Sequence, residues 1–312
     1  MRISTDRPLP DRVRAACAWV AGRARSVAID PDTLTAYAAR LSLPSQAPPA
    51  DPAVELLEGG REARAAFVLC LDAINFGSGW WPTIRKRPGH SGYATIAAAL
   101  GERFRGGGTW SAAELRELTP EAVAAALGQE ATHPLMVDYA AALRDVGQHL
   151  AGEYGGSFEQ LVESAAGSAP ALAGLLAGWQ AFADVSTYEG RPVPFFKRAQ
   201  IAAADLDRMG VADLGEQERL TAFADNLVPH VLRVDGVLRL DPGLEARIEA
   251  GELLEHGSPE EVELRACAVH AIELLAAIAS LSPAQLDALL WNRGAARRYK
   301  SRPRPRSRNT AY

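Results

Sequence analysis

Pro194-Phe195-Phe196-Lys197-Arg198-Ala199-Gln200-Ile201-Ala202-Ala203-Ala204-Asp205-Leu206-Asp207-Arg208-Met209 sets the period of this chain. Phe195, Ala199, Ala202 and Leu206 recur at helical spacing and form one apolar stripe. Lys197, Ile201 and Asp205 lie on a neighbouring line. Lys197 is one of only three lysines among 33 basic residues, and the only one between an aromatic pair and an apolar helical run. A second run, Leu220-Thr221-Ala222-Phe223-Ala224-Asp225-Asn226, sets Asp225 among apolar neighbours. A buried cation or carboxylate is costly unless it is paired or used. Together, Lys197 and Asp225 point to a site that holds an anionic substrate and breaks a bond in it.

The helical period extends over most of the chain. Alanine, leucine, arginine and glutamate fill its segments, and all are good helix formers. Helices are predicted over Pro10–Arg25, Pro31–Ala39, Glu62–Asn75, Tyr93–Phe104, Ser111–Leu118, Pro120–Leu127, Met136–Glu153, Ser157–Ser164 and Ala169–Ala177. Further ones are predicted over Pro194–Met209, Glu216–Asn226, Gly243–Gly251, Pro259–Ala279 and Ser282–Arg293. Ser111 with Glu114, and Ser157 with Gln160, read as capping boxes. Asp30, Thr119, Ser258 and Ser282 each stand before a proline, the order of an N-cap and first turn. Strand signals are few: Ile84–Lys86, Ser186–Val193 broken by the Glu189-Gly190 turn, and Val237–Leu240. The expected fold is mostly α, one helical domain over 1–312, with an N-terminal helical part over about 1–52 as a candidate subdomain. Leu43–Pro52 is rich in proline and serine and reads as a linker.

Composition narrows the function classes. The net charge of −5 argues against a general nucleic-acid binder, and no run of about 18 apolar residues signals a membrane span. The first ten residues lack the apolar core of a signal peptide. Cys17, Cys70 and Cys267 are scattered in apolar runs, without zinc spacing or a disulfide framework. A cytoplasmic, reducing setting is the expectation. The chain has no phosphate-binding glycine loop, no paired histidines at metal spacing and no serine elbow. No metal and no cofactor are therefore expected.

Several positions carry two readings. Lys197 near a helix N-terminus, beside free backbone N–H groups, suits a phosphate; it also suits a lysine that snorkels to solvent. Pro229, four residues after Asp225, either bends a helix that runs through it or follows one that ends at Asn226. Asn75-Phe76-Gly77-Ser78-Gly79-Trp80-Trp81 is a loop able to close on a flat ligand, or a helix stop followed by core tryptophans. Glu261, Glu263 and Arg265 open a long helix, where acids are ordinary dipole partners. Trp291 is either core or a stacking face. Arg297–Arg308 holds seven basic residues and no acid, and alone reads as a disordered arm.

The ordered set of segments Phe67–Phe76, His90–Leu100, Gly155–Phe158, Val185–Ile201, Thr221–Leu238, Gly257–Leu264 and Leu286–Trp291 resembles the queuosine salvage proteins, the queuosine 5′-phosphate N-glycosylase/hydrolase family. The closing Arg306-Ser307-Arg308 and Tyr312 are similar too, which implies a tail that docks. The resemblance implies a helical fold like that of helical DNA glycosylases, and release of queuine from queuosine 5′-monophosphate. It implies that Lys197 and Asp225 are the essential pair, with Phe76, Phe223 and Trp291 able to stack on the base. Phe196, Arg198, Asn226 and Asn292 fall in the same motifs and are the remaining candidates for substrate binding. Asn292, where the family commonly has an acid, and Gly77-Ser78-Gly79 depart from the pattern. The resemblance implies a small-molecule substrate and product, and no stable nucleic-acid or membrane partner. A non-catalytic helical module binding a nucleobase or tRNA, with the basic tail as its arm, is the alternative. DNA base-excision repair is a weaker third reading, given the negative charge.

Overall fold

A computed structural model describes residues 7–41 and 60–312. The linker expected over Leu43–Pro52 lies outside them. Fifteen α-helices and four short strands are found among the described residues. They run α1 (Leu9–Ala21), β1 (Val27–Ile29), α2 (Pro31–Ala38), α3 (Gly60–Ala73), α4 (Gly92–Gly107), α5 (Ala112–Arg116), α6 (Pro120–Leu127), α7 (Pro134–Glu153), α8 (Phe158–Ser164) and α9 (Ala169–Leu176). They continue with β2 (Val185–Tyr188), β3 (Arg191–Pro194), α10 (Lys197–Arg208), α11 (Leu227–Val234), β4 (Leu238–Leu240), α12 (Pro242–Glu249), α13 (Pro259–Ala279), α14 (Pro283–Arg293) and α15 (Arg297–Lys300).

The capping chemistry works as the sequence implies. Asp30, Thr119, Ser258 and Ser282 each accept a backbone N–H from the following turn. Ser111 and Glu114 form a reciprocal box. Ser157 accepts from Gln160 N–H, but the reciprocal partner is Glu62 of α3, whose carboxylate takes the Ser157 hydroxyl and the N–H groups of Phe158 and Glu159. A remote carboxylate thus replaces the local glutamine.

Helix α13 is the axis of the fold. Val262, Leu264, Cys267, Val269, Ile272 and Leu275 are buried on it, and only its last turns expose large apolar side chains, at Leu274 and Ile278. It packs against α1, α2, α11, α14 and β1. Its polar residues are buried and committed rather than mere dipole partners. Glu263 accepts the N–H groups of Arg25, Ser26 and Val27 at 2.7–3.2 Å, and the Tyr188 hydroxyl at 2.7 Å. It thereby closes the open start of β1, a three-residue strand with no sequence signature of its own, which pairs antiparallel with β4. The predicted β2–β3 hairpin is present, and positive φ at both Glu189 and Gly190 makes its turn. The strand expected over Ile84–Lys86 is absent. The Gln129 side chain instead accepts Arg85 N–H and donates to Arg85 O, taking the place of a neighbouring strand.

Two corrections bear on function. The predicted helix from Pro194 starts at Lys197, because Pro194 closes β3 and Phe196 takes a left-handed φ of 49°. The helix expected over Glu216–Asn226 does not form. Only Gln217–Arg219 makes a 3₁₀ turn, Leu220–Asp225 is non-helical, and α11 begins at Leu227. Pro229 then sits in the first turn of α11, where a missing N–H costs nothing.

Candidate active site

The Thr221–Asp225 segment gets its backbone partners from buried side chains of three helices. Gln200 of α10 accepts Thr221 N–H at 3.0 Å and donates to the Thr221 hydroxyl at 2.9 Å. Asp287 of α14 accepts Phe223 N–H at 2.9 Å. Arg265 of α13 donates to Ala224 O at 3.0 Å. Every one of these side chains is buried, so the segment is held as rigidly as a strand in a sheet.

Asp225 ends this segment. Its Oδ1 accepts the N–H groups of Leu227 and Val228 at 2.8 and 2.9 Å, so it caps the start of α11. Two N–H donors thus hold that oxygen at the positive end of the α11 dipole. Lys197 is the first residue of α10; its N–H donates to Asp184 at 3.1 Å and its ammonium to Asn75 O at 3.1 Å. Burial pushes the Lys197 ammonium down from its ordinary value, while the nearby Asp225 pushes it back up. Asp225 and Lys197 are 8 % and 6 % exposed, and they are electrostatic neighbours with no direct hydrogen bond.

Two further acids share this ground, and neither stood out in the sequence. Burial and the nearby Asp225 hold the Asp287 carboxyl well above the usual carboxylate range, against the pull of Phe223 N–H and Lys197. Asp72 of α3 is also raised, by burial and by Asp205, and it accepts from Asn75 Nδ2 at 3.3 Å. The site therefore holds one lysine, one capped carboxylate and two carboxyls that burial raises above the usual carboxylate range. Asp287 lies four residues before Trp291, on the same face of α14. That spacing was the available signal for Asp287, hidden among the apolar residues of an ordinary amphipathic helix.

The other candidate residues divide by burial. Trp291 is 41 % exposed, with its edge toward Tyr93 at 6.0 Å between centroids. Phe223 is half-buried. Asn292 is exposed and donates to Ala288 O within its own helix. Phe76 is core, 1 % exposed, against Tyr139 and the Arg198 guanidinium. Each nitrogen of Arg198 already donates to a carbonyl, of Ala73, Thr310 or Ala311, so this cation ties α3 to the tail. Phe196 is 5 % exposed at the turn into α10. Asn226 donates to Ser78 Oγ at 2.8 Å and Pro305 O at 2.9 Å, joining the glycine loop to the tail. Phe76 and Arg198 pack on one another in the core, and Asn226 has both amide bonds committed to structure.

The basic tail docks. Gly77 N–H donates to Tyr312 O at 3.1 Å, Leu254 N–H to Arg306 O at 2.8 Å, and Asn309 accepts from Ala311 and Tyr312. A Cβ on Gly79 would stand 2.4 Å from Ser307 O, so this glycine allows the two backbones to meet. A cleft of about 10 Å³, the space of one water, remains between tail and site, lined by Asp225, Glu261, Arg265, Pro305 and Tyr312 among others. Among the described residues no group of three or more His, Cys, Asp or Glu could hold a metal ion.

Residues 57–312 match the family described as queuosine salvage protein. A queuosine 5′-phosphate N-glycosylase/hydrolase of Sphaerobacter thermophilus is 37 % identical over 88 % of this chain and 90 % of its own length. The chain belongs to the queuosine salvage protein family. Proteins of the same description from Dictyostelium discoideum and Bos taurus are 28 % and 30 % identical, over 80 % and 70 % of this chain and 79 % and 68 % of theirs. The matched span of this queuosine salvage family member begins just before α3 and takes in Lys197, Asp225 and Asp287.

Proposed function

We propose that this chain hydrolyses the N-glycosidic bond of queuosine 5′-monophosphate and releases queuine. The reading is supported by membership of the family together with one observation: Asp225, locked through Oδ1 onto two N–H groups of α11, beside Lys197 and a raised Asp287. With Oδ1 fixed, the other oxygen of Asp225 serves the reaction. It stabilises positive charge as it grows on the ribose, or takes a proton from the attacking water. The water-sized cleft beside Asp225 gives that water a place to stand. Because the cleft is far too small for a nucleotide, the substrate approaches from the side of Phe223 and the exposed Trp291, whose rings stack on the base.

A 7-deaza base lacks the ring nitrogen whose protonation helps a purine leave. Two groups compensate. Asp287, whose carboxyl is held well above the usual carboxylate range by burial and the nearby Asp225, donates to the departing base. Lys197 holds the 5′-phosphate or the ribose hydroxyls as a point charge. No step calls on a metal or an organic cofactor, and a cytoplasmic setting is part of the same proposal. The binding-module alternative needs a free basic arm. Arg302 instead pairs with Glu245 and Glu249, and the tail from Arg304 onward packs into the fold. Incubation of the purified chain with queuosine 5′-monophosphate tests the proposal by the appearance of free queuine; tRNA binding without release would replace it.

A further inference from the structure

A second, larger cavity lies at the other end of α11 and is half open to solvent. It has a volume of about 580 Å³ and a polar lining of Tyr37, Arg40, Asp235, Arg293, Arg298 and Tyr299. Asp225 caps the N-terminus of α11 and Asp235 stands at its C-terminus, so about two helical turns separate this cavity from the site described above.

The side chains there are built around one anchor. Asp235 accepts the Tyr37 hydroxyl at 2.7 Å, the Tyr299 hydroxyl at 2.9 and 3.0 Å, and Arg298 Nη2 at 3.0 Å. Arg293 donates to the Tyr37 hydroxyl at 2.6 Å and stands 3.8 Å from Asp235. The Arg293 and Arg298 guanidinium groups also lie over the Tyr37 and Tyr299 rings, at 5.4 and 5.6 Å. Among the described residues, Arg40 donates through Nε to Ala36 O at 3.2 Å. Two guanidinium groups stand at a single carboxylate that already accepts three donors, and a third, of Arg40, lines the same cavity. The three guanidinium groups and one carboxylate leave two net positive charges there, and Arg293 and Arg298 are held on their aromatic partners and Asp235.

We propose that this cavity is a binding site for a small phosphomonoester, with Arg40, Arg293 and Arg298 on the phosphate and Tyr37 and Tyr299 beside the rest of the ligand. Guanidinium forks match phosphate oxygens in geometry as well as charge, and preorganisation lowers the cost of binding. A mononucleotide or sugar phosphate fits better than an RNA strand. The positive charge is confined to one concave pocket, while the whole chain carries −5. The site is independent of the glycosylase reading, since none of its residues belongs to the Lys197–Asp225–Asp287 group.

The test is calorimetric titration of the full chain with AMP, ribose 5-phosphate and inorganic phosphate, comparing wild type with Arg40→Gln and with Arg40→Gln/Arg298→Gln. Arg40 lies just past α2, is exposed and donates to Ala36 O of that helix, so the single variant keeps the fold. Affinity should fall about tenfold for each guanidinium removed. Lys197→Ala should keep the share of binding that the arginine variants remove. If all three ligands bind alike, the phosphate alone is recognised; if AMP or ribose 5-phosphate binds more tightly, the pocket also takes the attached group. Both results support the site. It is overturned if wild type binds none of the three at millimolar concentration, or if both arginine variants bind as wild type does.

Discussion

Asp287 accepts the amide proton of Phe223 at 2.9 Å, two residues before Asp225, and so ties a protonation-prone carboxyl directly to the segment that carries the capped one. Two carboxylates close together resist ionising together, and their environments separate their roles. Asp225 has two backbone donors and the end of a helix dipole; Asp287 has burial and one donor. On the proposed mechanism the first is the anion and the second the acid.

Asp287→Asn keeps an acceptor for Phe223 N–H and loses the proton. Its kcat for queuine release should fall about 10²-fold, the usual contribution of a positioned acid. Wild-type activity should decline as pH rises through the raised Asp287 value, and that limb should be missing in the variant. A pH–rate profile of both proteins checks this.

The same group makes stability depend on pH, and the sign follows from its direction. A carboxyl raised in the folded state binds its proton more tightly there than in the unfolded chain. Its stabilising contribution is complete below the ordinary value of 3.8 and is lost as pH climbs from there to the raised folded value. Asp72 adds a second contribution of the same sign. Denaturant unfolding across that window should show wild type losing stability with pH, and Asp287→Asn losing less.

Lys197→Ala should chiefly damage the preference for the 5′-monophosphate over unphosphorylated queuosine, if the ammonium holds the phosphate. Comparison of kcat/KM for the two substrates reads this directly. Equal loss for both would move Lys197 to the ribose hydroxyls.

Arg265 carries structure rather than chemistry. It pairs with Asp184 at 2.7 and 3.0 Å, holds Ala224 O, and lies over the Phe195 and Tyr312 rings at 3.9 and 4.4 Å. Arg265→Met leaves Asp184 buried without its main partner, which costs about 3–5 kcal/mol. Unfolding midpoints should show a loss of that size.

The helical fold was legible in the chain because its signals are local: period, caps and turn residues. Lys197 was placed at a helix start because proline and aromatics precede a clean helical stripe. The setting of Asp225 was not legible. Thr221–Asp225 is composed like a helix, and what keeps it extended is a set of partners far along the chain, Gln200, Arg265 and Asp287. No pattern within seven residues encodes that. The tail presents the same problem. Its composition reads as a free basic arm, yet it is held largely through backbone groups, on a loop whose Gly79 has room for no side chain. Only the family resemblance pointed to its docking.

The central claim is that Asp225 performs the chemistry. Asp225→Asn retains an oxygen able to accept from Leu227 and Val228, so the cap on α11 and the fold survive. The decisive measurement is single-turnover release of queuine from queuosine 5′-monophosphate, with substrate binding measured in parallel. The account predicts a rate lowered about 10²–10³-fold or more, with binding retained. Release at the wild-type rate by Asp225→Asn would contradict it.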